Sequence, residues 1–252
     1  MRHILHSFYV ITASVLSTAY YASWTVFWQL ISKQPRQWTD KIVTSWAKSM
    51  VRIAKIDYTV SNPNNVEINS NQPTIIMCNH SSNYDIPLSF MIFPKASMRM
   101  LAKRELSRIP VLSTAMTRLE FLFVDRKNHN QAVKDLAEVQ KLMKSGIVMW
   151  IAPEGTRSRS GHLLKFKKGG FVTAINAKAT IIPVGIRGSY SIMKPDSAWL
   201  SLNPKAELHI GTPVDASQFS MDDKDRLIEQ VREQIAQLSG ETKIEEVGKA
   251  PA

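Results

Sequence analysis

The chain has 252 residues, with 32 Lys plus Arg against 21 Asp plus Glu, for a formal net charge of +11 and an isoelectric point near 9.8. That length suffices for one sizeable core or for one domain with an appendage, and the basic balance points to anionic partners. A single cysteine, Cys78, excludes any intrachain disulfide and suits a reducing compartment or indifference to redox.

The charge is uneven. From Lys95 to Lys168 there are 16 basic and 6 acidic residues; from Met221 to Ala252 there are 5 and 8. The basic block occupies the middle of the chain, where the candidate chemistry also lies, although many of these lysines suit a solvated face equally well.

In chain order, the first feature is a stretch from His3 to Ser32 without Lys, Arg, Asp or Glu. Within it, Phe8–Ile31 is mostly apolar and aromatic, with Ser, Thr and Tyr scattered through it. About 20 apolar residues cross a bilayer as a helix, and aromatic residues favour the water–lipid boundary. The run therefore predicts a membrane-associated helix that spans the bilayer or dips into one leaflet. Its length, and the lack of a small-residue cleavage pattern after it, argue against a cleaved signal peptide.

Residues 38–55 follow with Trp38, Ile42, Trp46, Met50 and Ile53 at helical spacing and Lys41, Lys48, Arg52 and Lys55 beside them. This predicts a basic amphipathic helix on a membrane surface, or alternatively a helix packed on the domain core. Positive charge after the apolar run places the rest of the chain on the cytoplasmic side of a membrane. The expected organisation is a membrane-anchoring pair of helices over 1–60, one α/β domain over 61–240 and a polar tail over 241–252.

The body alternates short β-rich runs with helical patterns. Strands are predicted at 74–78, 98–101, 121–124, 147–151, 180–184 and 207–210. Helices are predicted at 86–93, 106–118, 130–144, 170–177 and 222–238, the last with Ser220 as N-cap. Such alternation predicts an α/β fold with a sheet covered on both faces.

Four segments carry residue types suited to chemistry. The first is Asn79-His80-Ser81-Ser82-Asn83-Tyr84-Asp85, directly after an apolar strand. A carboxylate that holds one imidazole nitrogen leaves the other free as a general base. The bland alternative is a helix cap at Ser82–Asp85, and Asp85 is expected to do both jobs. No His or Cys cluster nearby completes a metal site.

The second is Pro153-Glu154-Gly155-Thr156-Arg157-Ser158, at the carboxyl end of a predicted strand, where open α/β sheets bind ligands. Gly155 permits close backbone approach, Thr156 offers a hydroxyl, and Arg157 is able to grip a phosphate bidentately. Lys165, Lys167 and Lys168 follow as a basic loop without P-loop spacing. The third segment is Phe123-Val124-Asp125-Arg126. The fourth, Ile181-Ile182-Pro183-Val184-Gly185, places a proline that confines its strand to an edge, or itself to a strand end.

Taken in order, these four segments resemble the glycerolipid acyltransferase family, whose motifs are Asn-His-x4-Asp, Phe-Ile/Val-Asp-Arg, Phe-Pro-Glu-Gly-Thr-Arg-Ser and Val/Ile-Pro-Val. Ala102-Lys103-Arg104-Glu105-Leu106, with Ile109-Pro110, resembles the family's segment between the first two motifs. The apolar start with its amphipathic helix resembles the two-helix anchor of the family's bacterial lysophosphatidate acyltransferases. Three departures stand out: Ala152 where Phe is usual, Glu120 where a small residue is common, and Lys178 where Gly is frequent.

The resemblance implies a mixed sheet flanked by helices with an N-terminal membrane-associated two-helix segment. It implies His80 as general base, Asp85 as its orienting partner, and acceptor phosphate held by Arg126 and Arg157, with Lys103 a weaker candidate. It also implies Glu154, Gly155 and Thr156 shaping the acceptor site and Pro183 at an acyl-donor pocket. No metal or cofactor is implied, and no nucleic acid. The co-substrate is an acyl-CoA or acyl carrier protein thioester, and the lipid partner is lysophosphatidic acid at the cytoplasmic face of a membrane. Direct transfer fits the family better than an acyl-enzyme on Ser81 or Ser82. Glycerol 3-phosphate or a lyso-aminolipid are alternative acceptors. A phosphorylated-substrate hydrolase and a non-catalytic binder of anionic lipid are alternatives from other classes.

Overall fold

The computed structural model describes residues 2–124 and 129–241. Two N-terminal helices, α1 (Arg2–Ile31) and α2 (Arg36–Ile53), lead into β1 (Asp57–Ser61). β2 (Thr74–Cys78), α3 (Asp85–Ser89), β3 (Met98–Lys103), a 3-10 turn (Arg104–Arg108), α4 (Leu112–Arg118) and β4 (Leu122–Val124) follow. After α5 (His129–Lys144) come β5 (Val148–Ile151), α6 (Gly169–Ala177), β6 (Thr180–Arg187) and α7 (Ser189–Ile192). The chain then forms β7 (Lys205–Ile210), β8 (Val214–Asp215), a 3-10 turn (Ala216–Gln218) and α8 (Lys224–Ser239).

The strands form one mixed sheet in the order β1-β7-β6-β2-β5-β3-β4, with β8 also paired to β6. β2 through β6 are mutually parallel, and β7 and β8 run antiparallel to β6. Strand alternation sends Ile76 and Cys78 into a core shared with α1 and α2, while Ile75 and Met77 enter the opposite core beneath α5, α6 and α8. The sheet is thus covered on both faces, as expected of buried parallel strands. Gly185 lets α8 lie directly on β6, because a Cβ there would run into Leu238 and Ser239.

Several expectations are corrected. The boundary at residue 60 falls inside β1, which pairs with β7 from Asp57↔Lys205 to Ser61↔His209. Of the two readings for α2, the structure takes the helix packed on the domain core: Val43, Ala47, Met50 and Val51 are buried, and Ile42, Trp46 and Ile53 pack against the same core as the sheet. No helix of the described residues is long and apolar enough to cross a membrane. The inner side of α1 buries Ser7 and Thr25 beside Val10 and Ala22, while many of its large apolar residues are exposed. Ser17 bonds Ser49 at 2.7 Å, and Trp46 donates to Thr18 at 3.0 Å. Phe8, Val15, Leu16, Tyr20, Phe27 and Leu30 are exposed.

The helix expected over 106–118 is broken at Ile109-Pro110. Proline disfavours helix in the residue before it, and Val111 has a φ of 64°. β6 is a central strand despite Pro183. The missing N–H faces the side on which the partner changes from β8 at Ile181 to β7 at Val184, and the Pro183 carbonyl there accepts from Gly211 N at 2.8 Å. α8 begins at Lys224, two residues later than expected, and Ser220 caps the turn that leads into it: its Oγ accepts from Asp223 N at 3.3 Å while Asp223 Oδ2 accepts from Ser220 N at 3.2 Å.

Two of the three departures explain themselves as backbone. Lys178 ends α6 in the left-handed region, φ 50°, where glycine is the ordinary choice. Glu120 is also left-handed, φ 64°, and its carboxylate grips Arg36 at 2.7 and 3.0 Å. The buried Arg99 forms an ion pair with Asp40 at 2.7 Å and donates to Thr39 Oγ1 at 3.0 Å and to the Leu119 carbonyl, so α2 is pinned to the α4–β4 turn.

Candidate active site

The carboxyl ends of the parallel strands converge on one site. β2 ends at Cys78, and Asn79 extends its pairing with side-chain atoms: its amide donates to Ile186 O at 2.9 Å and accepts from Ile186 N at 2.7 Å. That clamp leaves His80 on the sheet's rim.

His80 Nδ1 lies 2.8 Å from Asp85 Oδ2. The same oxygen accepts from Ser81 N at 2.7 Å and Ser82 N at 2.8 Å. Asp85 is 0% exposed. An oxygen already receiving two N–H donors assigns the imidazole the tautomer that donates from Nδ1, leaving the Nε2 lone pair available. The bond that Asp85 accepts from Ser82 N, three residues earlier, is the back-bond of a capping box, so Asp85 serves both the turn into α3 and the imidazole. Its carboxylate turns back onto the 80–82 turn, and Tyr84, directly before α3, makes no side-chain cap.

The β5 loop holds the His80 backbone from the other side. Glu154 Oε1 accepts from His80 N at 2.7 Å, and Oε2 accepts from Leu164 N at 2.9 Å. Ser158 N donates to His80 O at 2.7 Å. Glu154 is 1% exposed, and burial raises its carboxyl from 4.5 to about 7, outweighing the two backbone donors. Trp150 meets the imidazole edge-on, ring centroids 5.7 Å apart.

His80 opens onto a cavity of about 570 Å³. Its polar end carries Asn83, Lys103, Thr156, Arg157, Arg159 and Asp196. Its apolar walls come from α1, α2 and α4, through residues such as Ala22, Val43, Trp46, Ala115 and Met116, with Ala152 near His80's own strand ends. One compartment therefore joins a base, a set of cations and an apolar chamber. Among the described residues, no group of three or more His, Cys, Asp or Glu side chains is gathered to hold a metal ion.

The structure brings together His80, Asp85, Lys103, Thr156 and Arg157. Glu154 stands behind the site as a brace, and Gly155, φ 72°, turns the loop with its N–H on Ala152 O at 3.0 Å. Pro183 lies in the sheet and does not line the cavity. Arg126 and Asp125 lie outside the described residues. The Ser81 and Ser82 hydroxyls bond Ser189 and the Met193 carbonyl, away from the imidazole. Arg159 and Asp196 were missed by sequence reasoning; the basic Arg-Ser-Arg spacing pointed to the first, and nothing local pointed to the second.

A family model described as Acyltransferase matches residues 57–187, more than half of the chain. The chain belongs to the Acyltransferase family. Among its relatives is a 1-acyl-sn-glycerol-3-phosphate acyltransferase of Borreliella burgdorferi, 30% identical over 183 residues, covering 73% of this chain and 72% of that protein. The mouse 1-acyl-sn-glycerol-3-phosphate acyltransferase alpha is 27% identical over 70% of this chain, and the match spans 62% of the mouse protein's length. The crystal structure of the LPA acyltransferase PlsC from Thermotoga maritima superposes with a TM-score of 0.79 and 25% identity, covering 96% of this chain and 99% of that one. The chain therefore has the mixed α/β fold of a solved member of the family.

Proposed function

We propose that this acyltransferase moves a fatty acyl group from an acyl thioester to the free sn-2 hydroxyl of 1-acylglycerol 3-phosphate, giving phosphatidic acid. The observation that carries the reading is the His80–Asp85 pair, 2.8 Å apart, at the junction of a cationic mouth and an apolar chamber. The names of the relatives support the same acceptor.

In this reaction His80 Nε2 takes the proton of the acceptor hydroxyl as its oxygen attacks the thioester carbonyl. The imidazolium is held by Asp85. Collapse of the tetrahedral intermediate breaks the C–S bond, and the proton passes from His80 to the departing thiolate, which restores the base. Lys103 and Arg157, with Arg126 from the neighbouring motif, hold the acceptor phosphate. Thr156 and Gly155 shape that end, and the apolar chamber takes an acyl chain. Ala152, where the family usually has Phe, leaves room beside Trp150.

The outward apolar face of α1 is proposed to lie in one leaflet, with the site at the cytoplasmic face, so that neither lipid needs to leave the bilayer entirely. The donor is an acyl-CoA or an acyl carrier protein thioester; no further cofactor is invoked.

A panel of acyl-CoA and acyl carrier protein thioesters against 1-acylglycerol 3-phosphate, glycerol 3-phosphate and a lyso-aminolipid tests the reading, with thiol release as the signal. Highest turnover with 1-acylglycerol 3-phosphate is expected. Preference for either other acceptor would reassign the substrate, and no thiol release with any pair would remove the activity.

A further inference from the structure

The cavity mouth contains a charge that does not fit a phosphate site. Lys103, Arg157 and Arg159 line it, and among the described lining residues Asp196 is the only acid. Asp196 Oδ2 lies 3.0 Å from Arg159 Nε, and both side chains are largely exposed, so the pair is loosely held.

The backbone around them is nevertheless built to bring them together. Asp196 follows Pro195 and adopts a left-handed φ of 61°, which a residue with a Cβ adopts at a cost. Tyr190 donates its hydroxyl to Arg159 O at 2.9 Å, and Lys194 Nζ sits 5.4 Å from the centre of the Tyr190 ring. Gly161, φ 87°, passes close under that ring, where a Cβ would come within 3.2 Å. One short segment, residues 190–196, thus holds Arg159 at its carbonyl and at its guanidinium.

We propose that Asp196 is a resident stand-in for substrate phosphate: its carboxylate holds Arg159 until a phosphomonoester dianion displaces it. The proposal deepens the reading above and rests on it. A phosphomonoester brings nearly two charges and three acceptor oxygens, and so outcompetes a singly charged carboxylate for the guanidinium. Neutral head groups do not, so the carboxylate selects against acceptors without a phosphomonoester. The dianion comes from the acceptor's head group or, in an acyl-CoA donor, from its ribose phosphate.

Asp196→Asn removes the charge and keeps a side chain that tolerates the left-handed backbone. The expected result is a KM about two- to five-fold lower for the substrate whose phosphate meets Arg159, the range for an exposed ion pair. Separate KM values for 1-acylglycerol 3-phosphate and acyl-CoA identify which substrate that is. In an Arg159→Ala background the second change should add nothing. Unchanged or higher KM for both substrates, or an equal effect without Arg159, overturns the proposal.

Binding of inorganic phosphate by the same variants reads the site without turnover. Affinity should rise in Asp196→Asn and become insensitive to residue 196 once Arg159 is gone. If it does so while no acceptor is acylated, the stand-in role holds and the reaction assignment falls. If acyl transfer is normal and phosphate affinity is identical in all variants, the stand-in role falls and the reaction assignment holds.

Discussion

The two loops that build the site are held in opposite ways. At the turn after β2, His80 is fixed at its backbone N–H by Glu154, at its carbonyl by Ser158 and at its ring by Asp85, all within 2.8 Å and mostly out of solvent. At the mouth, Arg159 meets Asp196 at 3.0 Å with both side chains open to water. A base must be aimed before the substrate arrives, because misplacement by an ångström is expensive in rate. Cations that receive a charged head group have to exchange partners, and a solvent-screened pair exchanges easily.

The strongest way to break this contrast is at Asp85. Asp85→Asn keeps a carbonyl oxygen that can still accept from Ser81, Ser82 and the imidazole, since all three donors share Oδ2, but it removes the negative charge that holds the imidazolium. A drop in kcat of about 10²–10⁴-fold is expected, with little change in KM. Next is Arg157→Ala, which removes a charged contact at the mouth. KM for the phosphorylated acceptor should rise by roughly 10- to 100-fold while kcat falls less, the value of a charge-assisted bond.

Glu154 offers a subtler probe. Glu154→Gln supplies one acceptor oxygen where two backbone donors need one each, so a buried N–H is left unpaired at about 1–3 kcal/mol, read as a lower Tm. The carboxyl also carries a pH signature. Its folded value is about 7 against 4.5 ordinarily, so its contribution to stability is fully present below about pH 4.5 and lost as pH rises through about 7. Wild type should therefore lose up to ~3 kcal/mol from this group across that window, and Glu154→Gln should flatten the dependence. An identical pH profile in the two proteins would show that Glu154 is not the titrating brace.

The smallest effect is expected away from both loops. Lys178→Gly relieves a left-handed helix end and should raise stability by about 0.5–1 kcal/mol without altering turnover. A parallel gain in activity would mean that α6 communicates with the site.

Much of this was legible because it is local. His80 and Asp85 are five residues apart, and the alternation of apolar runs located β2, β3, β5 and β7 to within a few residues. What escaped depends on partners far along the chain. β1, Asp57–Ser61, is exposed at every residue and pairs only at the sheet's edge, so it lacks a buried strand's pattern. Pro183 argues against a central strand until the change of partner from β8 to β7 is seen. Glu154 is expected to shape the acceptor site, yet it folds under the His80 backbone because the β2 and β5 ends are neighbours. Asp196 is 37 positions from Arg159, and only the return of the chain after β6 brings them together. α1 leaves many large apolar residues exposed while Ser17 and Thr18 meet Ser49 and Trp46 of α2, which composition alone does not reveal.

The account stands most directly on one measurement: thiol release from an acyl thioester with 1-acylglycerol 3-phosphate, by wild type and His80→Ala with matched folding. It predicts turnover in the wild type and a loss of at least about 10²-fold in the variant. Equal activity in the two proteins would contradict it.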